Sequence, residues 1–391
     1  MKKLLLNILF FFILSSYAQE QAEVTLLKNY KKVDKQIMDV EDSFTSVSQL
    51  GEYINKNFEN DEYKCRAIYK WITANVAYDV KSMYSISLKI KKGELAEAAF
   101  RDKKAICMGY ALLFDTLCEL NNIRCQYIVG STKQSWLVEP TGHSWNAVCI
   151  NNNWFLVDAT WGAGYIEEKK FYKSINNSFF LADGKSFYPT HHPIDAIWQL
   201  IDYPHDLFYF FNQSKKKTVS LKWNCQDSIE VYLKQEPIDQ IVATQRRLKL
   251  NGTNSNFTSD YYIYLENLKG HYVSREFKKI NDLLSKTINE YNQYVKFKNN
   301  RFTPELSDED LKTIFSTATN YLKESNVILN TNNKYKVESQ NENSIYYKGK
   351  IEDLQEKIKT ETEFVKNILK LKNLTEKRYL IKRTINCILV F

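Results

Sequence analysis

Gly142-His-Ser-Trp-Asn-Ala-Val-Cys-Ile-Asn-Asn-Asn-Trp-Phe-Leu-Val-Asp-Ala-Thr-Trp161 reads as two strands joined by a tight turn. Trp145 to Ile150 and Trp154 to Val157 are short and rich in β-branched and aromatic residues, and Asn151-Asn152-Asn153 supplies the turn. A hairpin runs its strands antiparallel, so the start of the first lies near the end of the second. That brings His143 towards Asp158. His143 stands nine residues before Asn152 and Asp158 six after it, an offset that calls for a bulge or a slipped register.

Upstream, Cys125 to Val129 reads as a further strand. Before it, Ala111, Leu113, Phe114, Leu117, Cys118 and Leu120 recur at helical spacing until Asn121-Asn122 ends the pattern. Cys107, in Lys104-Ala-Ile-Cys-Met-Gly-Tyr110, falls in the first turn of this helix. There the unpaired backbone N–H groups and the helix dipole favour a thiolate. Ser48 to Phe58 and Asp61 to Val76 read as two more helices, the second with Ile68, Trp71, Ile72 and Val76 on one face and Asp61 placed as its cap. Tyr78-Asp79 breaks into an irregular stretch that lasts to Gly93, and Glu94 to Phe100 suits a short helical turn.

A thiol nucleophile needs an imidazole to take its proton, and the imidazole needs a third group to fix its tautomer. Cys107, His143 and Asp158 supply those types in that order. Each has an ordinary reading alone: a buried thiol, a core histidine beside Trp145, an acid that starts a turn. Their order and settings together carry the assignment.

The motifs also resemble a known family. Lys64-Cys-Arg-Ala-Ile-Tyr-Lys-Trp-Ile-Thr-Ala-Asn-Val-Ala-Tyr-Asp79, the Cys107 helix, Gly142-His-Ser-Trp-Asn146 and Phe155-Leu-Val-Asp-Ala-Thr-Trp161 are similar to the transglutaminase-like superfamily, in its kyphoscoliosis-peptidase-type subgroup. His192-Pro-Ile-Asp-Ala-Ile-Trp-Gln-Leu200 resembles the segment after the catalytic core in that subgroup, so the likeness covers roughly residues 45–210. It implies an α+β, papain-like core of helices packed on an antiparallel sheet. It implies Cys107 as nucleophile, His143 as base and then acid, and Asp158 as the orienting carboxylate. The Cys107 N–H and a donor near Tyr78 are the expected oxyanion contacts, with Met108 and Trp145 beside the pocket. Met108 departs from the more polar residue that relatives often carry.

Three functions fit these residues: a peptidase or amidase in which water resolves the acyl-enzyme, a transglutaminase in which an amine does, or a binding scaffold that keeps the fold. The lack of an acidic cluster of the calcium-regulated kind favours hydrolysis. The chemistry calls for no cofactor, and the absence of CxxC pairs argues against a zinc site.

At 391 residues the chain has room for two domains. Met1-Lys2-Lys3, the apolar run Leu4 to Leu14 and Ser16-Tyr17-Ala18 make residues 1–18 an expected signal peptide, cut after Ala18. The run is too short to span a membrane comfortably, and no later stretch reaches spanning length. The expectation is therefore an exported protein, periplasmic or secreted. Losing Lys2 and Lys3 takes the formal charge from +8 to +6, and the other lysines are scattered among acids, so no nucleic-acid partner is indicated. The expected partner is a peptide or protein substrate. Seven Cys, an odd number, leave at least one thiol unpaired in an oxidising compartment. Residues 19–213 are the expected catalytic domain. Residues 214–391 are an expected mainly helical region, with Phe277, Ile280, Leu284, Ile288 and Tyr291 on one stripe and Ile351, Leu354, Ile358, Val365 and Ile368 on another. Asn330 to Ser344 reads as a loop between them.

Overall fold

A computed structural model describes residues 30–83, 92–134, 137–138, 142–205, 210, 224–251, 256–303 and 306–370. The expected signal peptide, the boundary at 213/214 and the apolar end Ile385–Phe391 lie outside the described residues. The chain divides into two units. The first runs to Gln235 and takes in Ala243–Asp260; the second comprises Glu236–Val242 and the chain from Tyr261 onward.

Five helices open the first unit: α1 (residues 30–38), α2 (Val47–Asn57), α3 (Asp61–Asn75), α4 (Lys92–Asp102) and α5 (Cys107–Leu120). Helix α5 is apolar on nearly every side, and a helix of that kind is stable only when surrounded. Its residues from Gly109 to Leu113, with Phe114, Leu117 and Cys118, are buried against Leu50, Ile54, Ile68, Ile72 and Phe100 of its neighbours. Helix α3 is capped by Asn60, whose side chain accepts from Tyr63 N at 2.9 Å, so Asp61 is first-turn charge and not the cap. Helix α4 runs three turns, beyond the short turn expected from Glu94 to Phe100. Arg66 of α3 is buried, forks onto both Asp34 oxygens of α1 at 2.6 Å, and donates to Asn177 Oδ1 at 2.7 Å. Tyr30 and Phe180 flank its guanidinium, each 5.1 Å away.

Two short parallel strands, β1 (Ala77–Tyr78) and β2 (Lys104–Ala105), tie the end of α3 to the residues just before α5. The main sheet is antiparallel, in the order β4 (Leu137–Val138), β3 (Cys125–Gln134), β5 (His143–Ile150), β6 (Asn153–Val157), with β9 (His191–Pro193) also on β3. The hairpin between β5 and β6 turns at Asn151 and Asn152, both left-handed at φ 50° and 62°, as a two-residue hairpin loop of this hand requires. All eight residues of β5 are buried. One face meets α5, where Asn146 Nδ2 donates to Ala111 O at 3.0 Å. The other, with Trp145, Ala147 and Cys149, packs against Phe187, Ile197, Trp198 and Ile229. Helix α6 (Ala159–Ala163) comes directly after β6, then the hairpin β7 (Gly164–Glu167) and β8 (Lys170–Lys173) and the short helix α7 (Gly184–Phe187).

At Gly130, β3 pairs with both β5 and β9. A Cβ there would sit 2.2 Å from the Trp145 ring and 2.3 Å from the His192 carbonyl oxygen. The backbone of β9 would have to move. Gly130→Ala is therefore expected to lower stability by about 1–3 kcal/mol, read as a fall in the urea midpoint at unchanged slope. A midpoint equal to wild type would show that β9 has slack.

The second unit is helical, as expected. Three helices, Asn256–Asn299 (in this unit from Tyr261 onward), Asp308–Asn333 and Asn341–Leu369, share a core that includes Phe277, Ile280, Leu284, Phe315, Leu322, Ile351, Ile358 and Val365. Ser307 and Asp310 form a capping box at the start of the second. That helix continues to Asn333 and the third begins at Asn341, so the loop expected over Asn330 to Ser344 shrinks to a short connection. Most polar residues there face solvent, and the buried Asn332 donates to Val273 O at 3.4 Å, so the helical ladder stays intact. Ile288, expected on the apolar stripe, is exposed. Among the described residues no helix is long and apolar enough to cross a membrane.

Candidate active site

Asp158 is the hub of the site. It comes immediately after the last residue of β6 and caps α6, its Oδ1 accepting from Thr160 N at 2.7 Å and Trp161 N at 3.1 Å. Its Oδ2 meets His143 Nε2 at 2.7 Å. No bulge or slip is needed for this. The ladder pairs Asn146 with Val157 and Ile150 with Asn153, so one further step sets Asp158 opposite Trp145. His143 is then the diagonal neighbour on the same face, and an imidazole spans that diagonal. The expected bulge is thus corrected by the length of the side chain.

Oδ2 has a second partner that the residue pattern does not announce. His191 Nε2 lies 3.0 Å from it, and His191 Nδ1 meets Thr190 Oγ1 at 2.7 Å. The motif legible in the sequence begins at His192, one residue too late. The signal available was a His-His pair in a chain with only five histidines. Strand alternation separates the two: His192 turns away towards the His205 carbonyl.

Burial opposes charge on all three groups, and their mutual arrangement decides who carries it. For Asp158, burial would raise the pKa, but the charge and hydrogen bond of His143, with help from His191, hold it well below the usual carboxylate range. For His143, burial would lower the pKa, but the Asp158 charge and hydrogen bond outweigh it, and contact with Cys107 adds to them; the result is pushed up to about 10. For His191, burial wins. Asp158 pulls it up, the charge on His143 pushes it down, and it settles at about 4.

Cys107 is close enough to His143 to help raise its pKa. With Nε2 given to Asp158, Nδ1 is the nitrogen left for the thiol. Cys107 is the first residue of α5, half-buried and free of any disulfide, and no side chain caps that helix start. Two anchors hold it in place: the β1–β2 pairing, and the Tyr110 hydroxyl, which donates to Val76 O at 2.7 Å. Tyr78 pairs with Ala105, two residues before Cys107, so the segment expected to supply an oxyanion donor is adjacent. Met108, the second residue of α5, is half-buried and packed against the core. Trp145 is not an open pocket wall. It is buried beneath the two imidazoles, its ring 6.0 Å from His143 and 5.2 Å from His191.

The ligand-type atoms of His143, Asp158 and His191 lie within 4.8 Å of one another, a spacing that a metal site would also show. An ionised carboxylate favours a proton on each Nε2, and with those protons in place no nitrogen lone pair faces the centre.

A helix-borne thiol, an imidazole and a carboxylate on a hairpin match a known architecture. The family model of the transglutaminase-like superfamily covers residues 48–159. Residues 48–159 are thus a transglutaminase-like domain. A stretch of 204 residues is 30% identical to kyphoscoliosis peptidase of Homo sapiens, across 49% of this chain and 30% of that protein, in keeping with the subgroup that the motifs resemble. A Lim and transglutaminase domain protein of Caenorhabditis elegans is 25% identical over 197 residues, across 46% of this chain and 27% of its own. The chain thus spans less than a third of the length of either relative. A solved structure described as a putative cysteine protease from Cytophaga hutchinsonii overlaps 33% of this chain and 40% of its own, at 22% identity and a TM-score of 0.25.

Proposed function

We propose that this protein is an exported cysteine peptidase or amidase that cleaves amide bonds of peptides or proteins through a thioester acyl-enzyme. The observation that carries the reading is His143 held by Asp158 at 2.7 Å with Cys107 beside it at the start of α5, so that the imidazole is favoured to carry the charge. Cys107 Sγ attacks the amide carbonyl, and the oxyanion forms near the Cys107 N–H and the Tyr78 segment. His143 Nδ1 then hands the former thiol proton to the leaving amine. Water enters next: His143 takes its proton, the hydroxide adds to the thioester, and the acid leaves as the thiol is restored. Asp158 keeps Nε2–H pointed at itself throughout, so Nδ1 always faces the sulfur. The name of the human relative supports hydrolysis over cross-linking.

The test incubates the mature protein with a peptide library, with and without an added primary amine, using Cys107→Ala as the blank. New amino termini that require Cys107 support the reading. Amine adducts without hydrolysis would reassign the acceptor and make the protein a transglutaminase, whereas no Cys107-dependent product would leave a binding scaffold. Export is checked by amino-terminal sequencing of the protein from its producing cell, with Gln19 expected first.

A further inference from the structure

Asp158 is fully buried, and a carboxylate offers about four lone-pair directions to hydrogen-bond donors. Four donors meet it: two backbone N–H groups on Oδ1, and His143 and His191 on Oδ2. Three of these arise from the fold of the hairpin and from the triad. The fourth comes from β9, held on β3 more than fifty residues further along the chain.

The surroundings of His191 are built for a neutral donor. Phe187 packs on its ring at 4.0 Å, Trp161 at 4.6 Å, Trp145 at 5.2 Å and Phe179 at 5.7 Å. The titratable groups that bear on it are Asp158 and His143. Asp158 Oδ2, an acceptor only, sets the proton of the neutral ring on Nε2, and Nδ1 is then free to accept from the Thr190 hydroxyl at 2.7 Å, whose other acceptor within reach is Phe187 O at 3.3 Å. A cation in this place would pair with the carboxylate and take it from His143. A neutral imidazole satisfies the lone pair and leaves the charge for His143.

We propose that His191 is a positioning residue of the site: it clamps Asp158 by a single neutral hydrogen bond, in the orientation that receives His143. The inference rests on the acyl-transfer reading for its purpose, but not for its geometry. Without the clamp, a buried oxygen loses a donor. The carboxylate is then freer to turn, or to take the proton that should stay on His143, and the thiolate loses its cationic partner.

The experiment tracks alkylation of Cys107 by iodoacetamide from about pH 5 to 10 in the full mature chain, resolved by peptide mass spectrometry. It compares wild type, His191→Gln and His191→Leu. Leu fills the aromatic box but donates nothing; Gln carries an N–H to about the place of Nε2. For His191→Leu the rate at pH 7 is expected to fall about ten-fold, with the rate–pH curve moved up by about one unit. His191→Gln is expected to stay within about two-fold of wild type. Identical curves for Leu and wild type would reduce His191 to packing and overturn the clamp.

Should His191→Leu fail to fold, nitrogen NMR of wild-type histidines decides the matter. A neutral Nε2–H tautomer for His191 at pH 6 supports the clamp; a charged ring or an Nδ1–H tautomer overturns it. Wild-type Cys107 that reacts no faster than the other free thiols would instead count against the acyl-transfer reading, and the NMR result would still stand on its own.

Discussion

Asp158→Asn is expected to lower turnover by about a thousand- to ten-thousand-fold while leaving the domain folded. The asymmetry of the carboxylate explains both halves of that outcome. Oδ1 accepts from the Thr160 and Trp161 N–H groups, and the amide oxygen of Asn can do the same, so the cap on α6 survives. The amide nitrogen then takes the place of Oδ2, where two imidazoles present Nε2. A donor there faces donors. His143 must move its proton to Nδ1 to relieve the clash, and an Nδ1–H directed at Cys107 cannot accept the thiol proton. Alkylation of Cys107 at neutral pH should fall along with turnover. Apparent substrate affinity should hardly change, because the buried carboxylate is out of a substrate's reach. Steady-state kinetics and alkylation on the same preparation check this. A variant that keeps more than about a tenth of wild-type turnover would remove Asp158 from its role as the group that sets the tautomer.

Local features of the site were readable from sequence, and distant pairings were not. The Asn151-Asn152 turn announces the β5–β6 hairpin because few residues tolerate two left-handed positions in succession. Cys107 stands out because an apolar helix begins there. His191 stayed hidden because its part in the site depends on β9 pairing with β3 across some sixty residues, and no local periodicity encodes that. The bulge expected between His143 and Asp158 came from counting residues along the backbone, when the side chain makes up the difference. Asn60 and Asp61 are both good caps, and only the direction of the chain entering α3 chooses between them. The helices of the second unit were readable from spacing, since apolar residues three and four apart leave little choice. That pattern says how they pack together and nothing of what they bind.

The two histidines on Asp158 should also give the stability of the domain a maximum near pH 6.5, where an unfolded imidazole titrates. His191 has a folded pKa of about 4. Between about pH 4 and 6.5 the unfolded chain takes up a proton there that the folded chain refuses, so stability falls as the solution is acidified. Two and a half pH units correspond to about 3 kcal/mol at full effect. Below that range Asp158 steepens the loss, because a carboxylate held ionised in the fold must be protonated as well. His143 works in the other direction. Its folded pKa is about 10, so its contribution is complete below about pH 6.5 and drains away as the pH rises through 10. Cys65 and Cys118, whose burial raises their thiols, add to the alkaline decline above about pH 8.5. Thermal melts across the range, on wild type, His191→Gln and His143→Asn, separate these contributions. His191→Gln should flatten the acid side, and His143→Asn should flatten the alkaline side down to what the thiols cause. A wild-type profile that rises or falls steadily from about pH 5 to 9 would mean that the two imidazoles do not hold the opposite charge states their shared carboxylate assigns them.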